Sequence, residues 1–364
     1  MRIDSLTFFR FAAAVIVLFF HFGRETDLVA MWSPFIVSGP AMVTFFFTLS
    51  GFVMLISHYH KTNLSLRKYY VARIARIFPI YVFALFFTAF LVLGYGINDI
   101  YSLVLSFFFM QSWVSPYPTA MNTPGWSLSV EVFFYVSFPI IIWAIRKHQP
   151  RTSFVVLFTL AVYFVTQIIL SRMLSAPDYS SYPSFLHDMV NYFPLSHLCS
   201  FLMGITGGLI CIRYPQYFTK TGLHSYLVLF AAFYLTYFLL QNRDFIQGYI
   251  DMPLAYGSSF YTWLALTLIM SIAYAKNRVT DFFSSRFMVF LGDISLSVYI
   301  LQKPMHIVYI DYISDALALG PNADFYVFCT LLIATGCVTH LTIEKLGSKA
   351  IFKINKMLPD QSAK

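Results

Sequence analysis

Ten apolar stretches, each long enough as a helix to cross a bilayer, recur along this 364-residue chain. They fall near 5–22, 41–58, 77–94, 126–145, 153–170, 195–212, 225–240, 258–275, 288–308 and 325–343. Inside a bilayer no water satisfies the backbone, so such stretches must close their own hydrogen bonds as helices. Only 11% of the residues are charged and 59% are hydrophobic, whereas a soluble domain carries about 25% charge. The expected fold is therefore all-α, a polytopic integral membrane protein with about ten transmembrane helices. Residues 100–110 are also apolar, but at about 16 Å of helix they are too short to cross. They are expected to form an interfacial or re-entrant piece.

No Gly/Ser linker, repeat or long polar block divides the chain. Residues 1–345 are read as one transmembrane domain and 346–364 as a short basic tail. The first run has the outline of a signal peptide with Arg10 as its basic flank. No small-x-small cleavage site follows before Pro34, so it is expected to stay as the first span. Cys199, Cys211, Cys329 and Cys337 all lie in apolar runs without metal-ligand spacing, which suits packing residues and not disulfides.

Charge sets the orientation. With an inside N-terminus, the inner segments carry most of the 24 Lys and Arg, from Arg2 through Lys61, Arg67, Lys68, Arg146, Lys147 and Arg151 to Lys345, Lys349, Lys353, Lys356 and Lys364. The outer segments carry Arg24, Arg172 and Arg243. The positive-inside rule then puts both termini in the cytoplasm. The net charge of +8 reports that orientation and contact with anionic lipid, so no nucleic-acid partner is needed to explain it.

Four constellations carry chemistry. Arg10 and His21 share the first span with ten uncharged residues between them. Eleven steps bring the helix to within about 20° of three full turns, so both lie on one face, about 16 Å apart. Such a pair suits the two ends of a channel; an interfacial histidine and a snorkelling arginine are the plainer alternative. Phe45–Phe52, FFFTLSGF, places Ser50 and Gly51 inside the second span, where another helix or a ligand can approach the backbone closely. Arg73 and Arg76 close a basic inner loop and point the same way on a helical turn. Two such forks suit phosphate groups, or equally the lipid headgroups. Finally, Ser127, Glu131 and Tyr135 follow i, i+4, i+8 spacing near the start of the fourth span. A carboxylate there must be paired, neutral or facing water. If the first and fourth spans are neighbours, Glu131 and His21 reach similar depth and form a base with an orienting partner. Pairing of Glu131 with another group is the alternative. Phosphate-binding glycine loops, zinc motifs and nucleophile elbows are missing from the sequence, and no metal is expected.

In order along the chain, Arg10-x10-His21, Phe46-FTLSGF, Arg73-x-x-Arg76 with Pro79 and Tyr81, Trp126-SLSVE with Tyr135 and Pro139, Phe201-LMGI and Leu291-GDISLSVYILQKP resemble the membrane acyltransferase 3 family, whose members O-acylate carbohydrates. The resemblance covers nearly the whole chain. It departs at Gln302, where the family often has histidine, and at Glu344-Lys345, which Leu346 follows in place of proline. The chain also ends soon after the tenth span, so it is expected to act without an extracytoplasmic hydrolase-like domain.

The resemblance implies a cytoplasmic acyl-CoA donor, usually acetyl-CoA, with no permanently bound cofactor. It implies as acceptor a sugar hydroxyl on an extracytoplasmic polysaccharide or lipid-linked glycan, and a bacterial inner-membrane location. Arg10, Arg73 and Arg76 would handle the donor. His21 would deprotonate the hydroxyl or take the acyl group first, with Glu131 fixing its tautomer. Trp126, Ser127, Ser129, Tyr135 and Ser50 would line the substrate path. A flippase for lipid-linked sugars is the competing class. It calls for inverted repeats, and none is visible.

Overall fold

The computed structural model describes residues 3–61, 64–94, 96–217, 220–250 and 252–357. Arg2 and Lys364, counted above among the inner charges, lie outside them, as does the end of the basic tail. The described residues are mostly helical, with almost no strand. Its principal helices are α1 (Asp4–Phe22), α2 (Gly39–His58), α3 (Leu66–Val92), α4 (Ile97–Phe107), α5 (Gly125–His148), α6 (Thr152–Leu174), α7 (Leu198–Arg213), α8 (Leu223–Gln241), α9 (Thr262–Tyr274), α10 (Arg286–Tyr309), α11 (Pro321–Thr339) and α12 (Lys345–Met357). A π-helical turn, His340–Glu344, joins α11 to α12. Two-residue strands, β1 (Lys220–Thr221) and β2 (Ala275–Lys276), pair in parallel.

Among the described residues, eight helices are long and apolar enough to cross a membrane. Two of the ten expected spans differ. Helix α10 is long enough, but Asp293, Gln302 and Lys303 leave it less apolar than the eight. Helix α9 has 13 residues, about 20 Å against a hydrocarbon core of about 30 Å. Residues 258–261 ahead of it are turns, fully buried at Ser258 and Ser259. Three of their polar groups are met from neighbouring helices: Thr44 donates to the Ser258 carbonyl at 2.6 Å, Tyr163 to that of Phe260 at 2.8 Å, and Gln167 to the Ser259 hydroxyl at 3.0 Å. Irregular backbone at membrane depth is tolerated where protein satisfies it. As expected, α4 is an 11-residue helix too short to cross.

The basic inner loop holding Arg73 and Arg76 is instead the first half of α3. Ser65 caps this helix by accepting from Lys68 N, and the YYVARIARIF run then feeds without a break into the apolar half. Helix α12, Lys345–Met357, takes up the start of the basic tail as an amphipathic helix that packs on α3 with Gly347 against Pro79. Arg67 of α3 binds the Asn355 side chain at 2.7 Å.

Helices α1, α2, α3, α5, α7 and α10 build the core, while α6 and α8 leave large apolar side chains such as Phe158, Phe164, Phe230 and Tyr234 facing outward, as lipid contact demands. The closest packing is α2 on α7. Gly51 lies against the Phe201 carbonyl and Gly204 against the Thr48 carbonyl, so neither position has room for a Cβ. The Ser-Gly pair in FFFTLSGF is therefore a helix-contact device on its glycine side. Gly204→Val drives a branched side chain into backbone that cannot yield. A loss of about 3 kcal/mol is expected, the upper part of the overpacking range, read as a fall in detergent-solution Tm.

Candidate functional site

Helical spacing assembles the site. Ser127, Glu131 and Tyr135 on α5, Arg73 and Arg76 on α3, Arg10 on α1 and Ser50 on α2 all line one cavity of about 800 Å³. Helix α10 adds Asp293, Ser295 and Tyr299, and the π turn with α12 adds His340, Glu344, Lys345 and Lys349. Arg76, Lys345 and Lys349 are exposed and mark the mouth; Arg10 and Glu131 are half-buried.

Five cationic side chains face three carboxylates across this cavity, so its field favours an anion. Arg10 lies within electrostatic reach of Arg76, Glu131, Tyr135 and Asp293. The Tyr135 hydroxyl donates to Glu131 at 2.6 Å, and the Tyr69 hydroxyl to the Tyr135 carbonyl at 2.9 Å. The Arg73 guanidinium sits 5.8 Å from the Tyr69 ring centre and 5.5 Å from that of Tyr135, a cation–π clamp that fixes the fork. Its Nε is buried with no hydrogen-bond partner among the described residues. Ser127 and Tyr299 share a hydroxyl contact at 2.9 Å on the opposite wall.

His21 is not part of this cavity. It closes α1 about 16 Å beyond Arg10, with Arg24 as its charged neighbour. The expected His21–Glu131 pair is therefore not formed: Glu131 is engaged by Tyr135 and stands level with Arg10. The sequence placed both residues near the outer ends of their helices. Glu131 is set six residues into α5 and lines the cavity with Arg10, away from the far end of α1. At the His21 end, Phe22 stacks on His306 of α10 with ring centres 4.1 Å apart.

Two other expected wall residues are also elsewhere. Trp126 is buried against Phe47, Tyr192 and His197, and Ser129 donates to the Phe109 carbonyl at 2.5 Å. Both hold the start of α5 in place. Lys303, the buried charge of α10, does the same by donating to the Met121 carbonyl at 2.5 Å.

Sequence reading singled out Glu344 only within the Glu344-Lys345 departure, and gave neither it nor His340 a place in the site. Their signal is an i, i+4 spacing that straddles the end of the last apolar run. No group of metal-ligating side chains able to hold an ion occurs among the described residues.

A family model described as an acyltransferase domain matches residues 3–342. Acyltransferase MdmB of Streptomyces mycarofaciens is 30% identical over 167 residues, 42% of this chain and 42% of that protein. Putative acetyltransferase ORF330 of Acidianus two-tailed virus is 25% identical over 261 residues, 71% of this chain and 70% of the viral protein. The aligned region thus spans under half the length of the Streptomyces relative. No solved structure matches the chain.

Proposed function

Since the chain belongs to the membrane acyltransferase 3 family, we propose that it moves an acyl group, usually acetyl, from acyl-CoA to a sugar hydroxyl of a polysaccharide or lipid-linked glycan across the membrane. The observation that carries the donor half is the cavity with Arg10, Arg73 and Arg76 on its walls and Lys345 and Lys349 at its mouth. CoA carries phosphates at one end and a long neutral arm ending in the thioester at the other. Exposed cations at the mouth suit the phosphates, and the clamped fork of Arg73 is preset to donate to two phosphate oxygens. Further in, Arg10 lies within electrostatic reach of Glu131 and Asp293, whose charges would keep the inner cavity from trapping the phosphates too deeply.

The positive-inside count makes that mouth cytoplasmic and His21 extracytoplasmic. The donor arm then runs along the α1 face from Arg10 toward His21, which removes the proton of the acceptor hydroxyl as it attacks the thioester, or carries the acyl group in between. The host membrane is assigned as a bacterial plasma membrane. With Glu131 committed to the donor cavity, the orienting role first given to it at His21 is dropped.

Sealed vesicles of both orientations, supplied with radiolabelled acetyl-CoA and glycan acceptor, test this reading. Labelled glycan should form where acetyl-CoA meets the face bearing α12, with the label on glycan in the opposite compartment. Label delivered only from the other face would reverse the orientation. Glycan movement without acetyl-CoA consumption would mark a flippase.

A further inference from the structure

The donor cavity contains a base of its own. His340 Nδ1 lies 2.8 Å from Glu344 Oε2, and both side chains, each 13% exposed, line the cavity that holds Arg10 and Glu131. A carboxylate can only accept, so Nδ1 donates to it, and in the neutral ring the lone pair lies on Nε2. Ser297 donates to the second Glu344 oxygen, so the carboxylate is held from both sides. The π turn makes this possible: residues 340–344 bulge from the α11–α12 line and set both side chains on the cavity wall. The Phe290 ring stands edge-on to the imidazole, 6.3 Å away, and limits its swing. An imidazole oriented in this way, beside cations that can stabilise an oxyanion, is the minimal equipment for acyl transfer.

We propose that His340, positioned by Glu344, is a general base on the donor side of the membrane that activates a small O–H nucleophile against the acyl thioester. The inference rests on the reading of the cavity as an acyl-CoA site. When no other hydroxyl compound enters, the nucleophile is water. His340 Nε2 takes one water proton as the oxygen attacks the carbonyl carbon, and the cationic side of the cavity steadies the tetrahedral oxyanion. The C–S bond then breaks, and the CoA thiolate leaves with the proton returned from His340. The products are the free carboxylic acid and CoA thiol, so the protein is also a slow thioesterase. That site is separate from His21, which stands outside the cavity at the far end of α1.

The test uses full-length protein in nanodiscs with acetyl-CoA and no acceptor, in the His21→Ala background, where transfer by the outer base is absent. Free CoA should still appear, and adding His340→Ala or His340→Gln should lower its rate by at least about 10²-fold. Free imidazole added to His340→Ala should restore part of the lost rate, which repair of a merely structural defect does not do. Glu344→Gln should lower kcat with little change in KM, as befits a positioning residue. CoA release that ignores both His340 variants, or that vanishes with His21→Ala alone, overturns the proposal and leaves the donor site standing. If the wild-type protein fails to bind acetyl-CoA by calorimetry, the donor reading falls first and the base site with it.

Discussion

In His21→Ala, acyl transfer to the acceptor falls by at least about 10²-fold, the scale of a lost general base, while acetyl-CoA binding stays at the wild-type level. The two properties separate because His21 lies outside the donor cavity, about 16 Å along α1 from Arg10. His21→Gln keeps a hydrogen-bonding side chain of similar length and should be equally inactive, because an amide has no titratable lone pair to take a proton. The measurement is acylated glycan from equal amounts of membrane-inserted protein, with acetyl-CoA affinity determined in parallel. Near-normal product removes His21 from the mechanism.

The second large effect lies at the other end. Arg73→Ala/Arg76→Ala should raise the KM for acetyl-CoA by about 10²-fold or more, because each charge-assisted contact contributes roughly 1.5–3 kcal/mol. The protein should still fold, since Arg76 is exposed and the Arg73 Nε has no hydrogen-bond partner to lose. Lysine should rescue poorly at position 73, where the planar group is held between Tyr69 and Tyr135 and a compact ammonium cannot fill that slot. An unchanged KM in the double variant would reduce the two arginines to anchors at the lipid headgroups.

The sequence carried the fold class, because runs of apolar residues at bilayer length admit almost nothing but helices. It also carried which residues share a face. Ser127, Glu131 and Tyr135 line one cavity as their spacing requires, and so do Arg73 and Arg76. What it could not carry was which helices are neighbours and at what height. Rotation about a helix axis is written in the spacing of residues. The offset between two helices is set by contacts such as Gly292 of α10 against Thr7 of α1, which one chain read alone does not display. That missing offset is why Glu131 was matched with His21 and not with Arg10. His340 and Glu344 escaped for a different reason: a π turn shifts the register just where the apolar run stops, and a polar pair there reads as the beginning of a tail.

The short helix α9 bears on how the protein is made. Thirteen helical residues preceded by buried turns are a weak signal for release into lipid, because the open carbonyls of Ser258 and Phe260 would meet hydrocarbon. The groups that quench them, Thr44 on α2 and Tyr163 on α6, both come earlier in the chain. Ribosomal order therefore delivers the acceptor surface before the segment that depends on it. Insertion of residues 258–275 becomes a docking event onto a bundle already in the membrane, and a truncated chain lacking α6 should leave that segment stranded at the translocon.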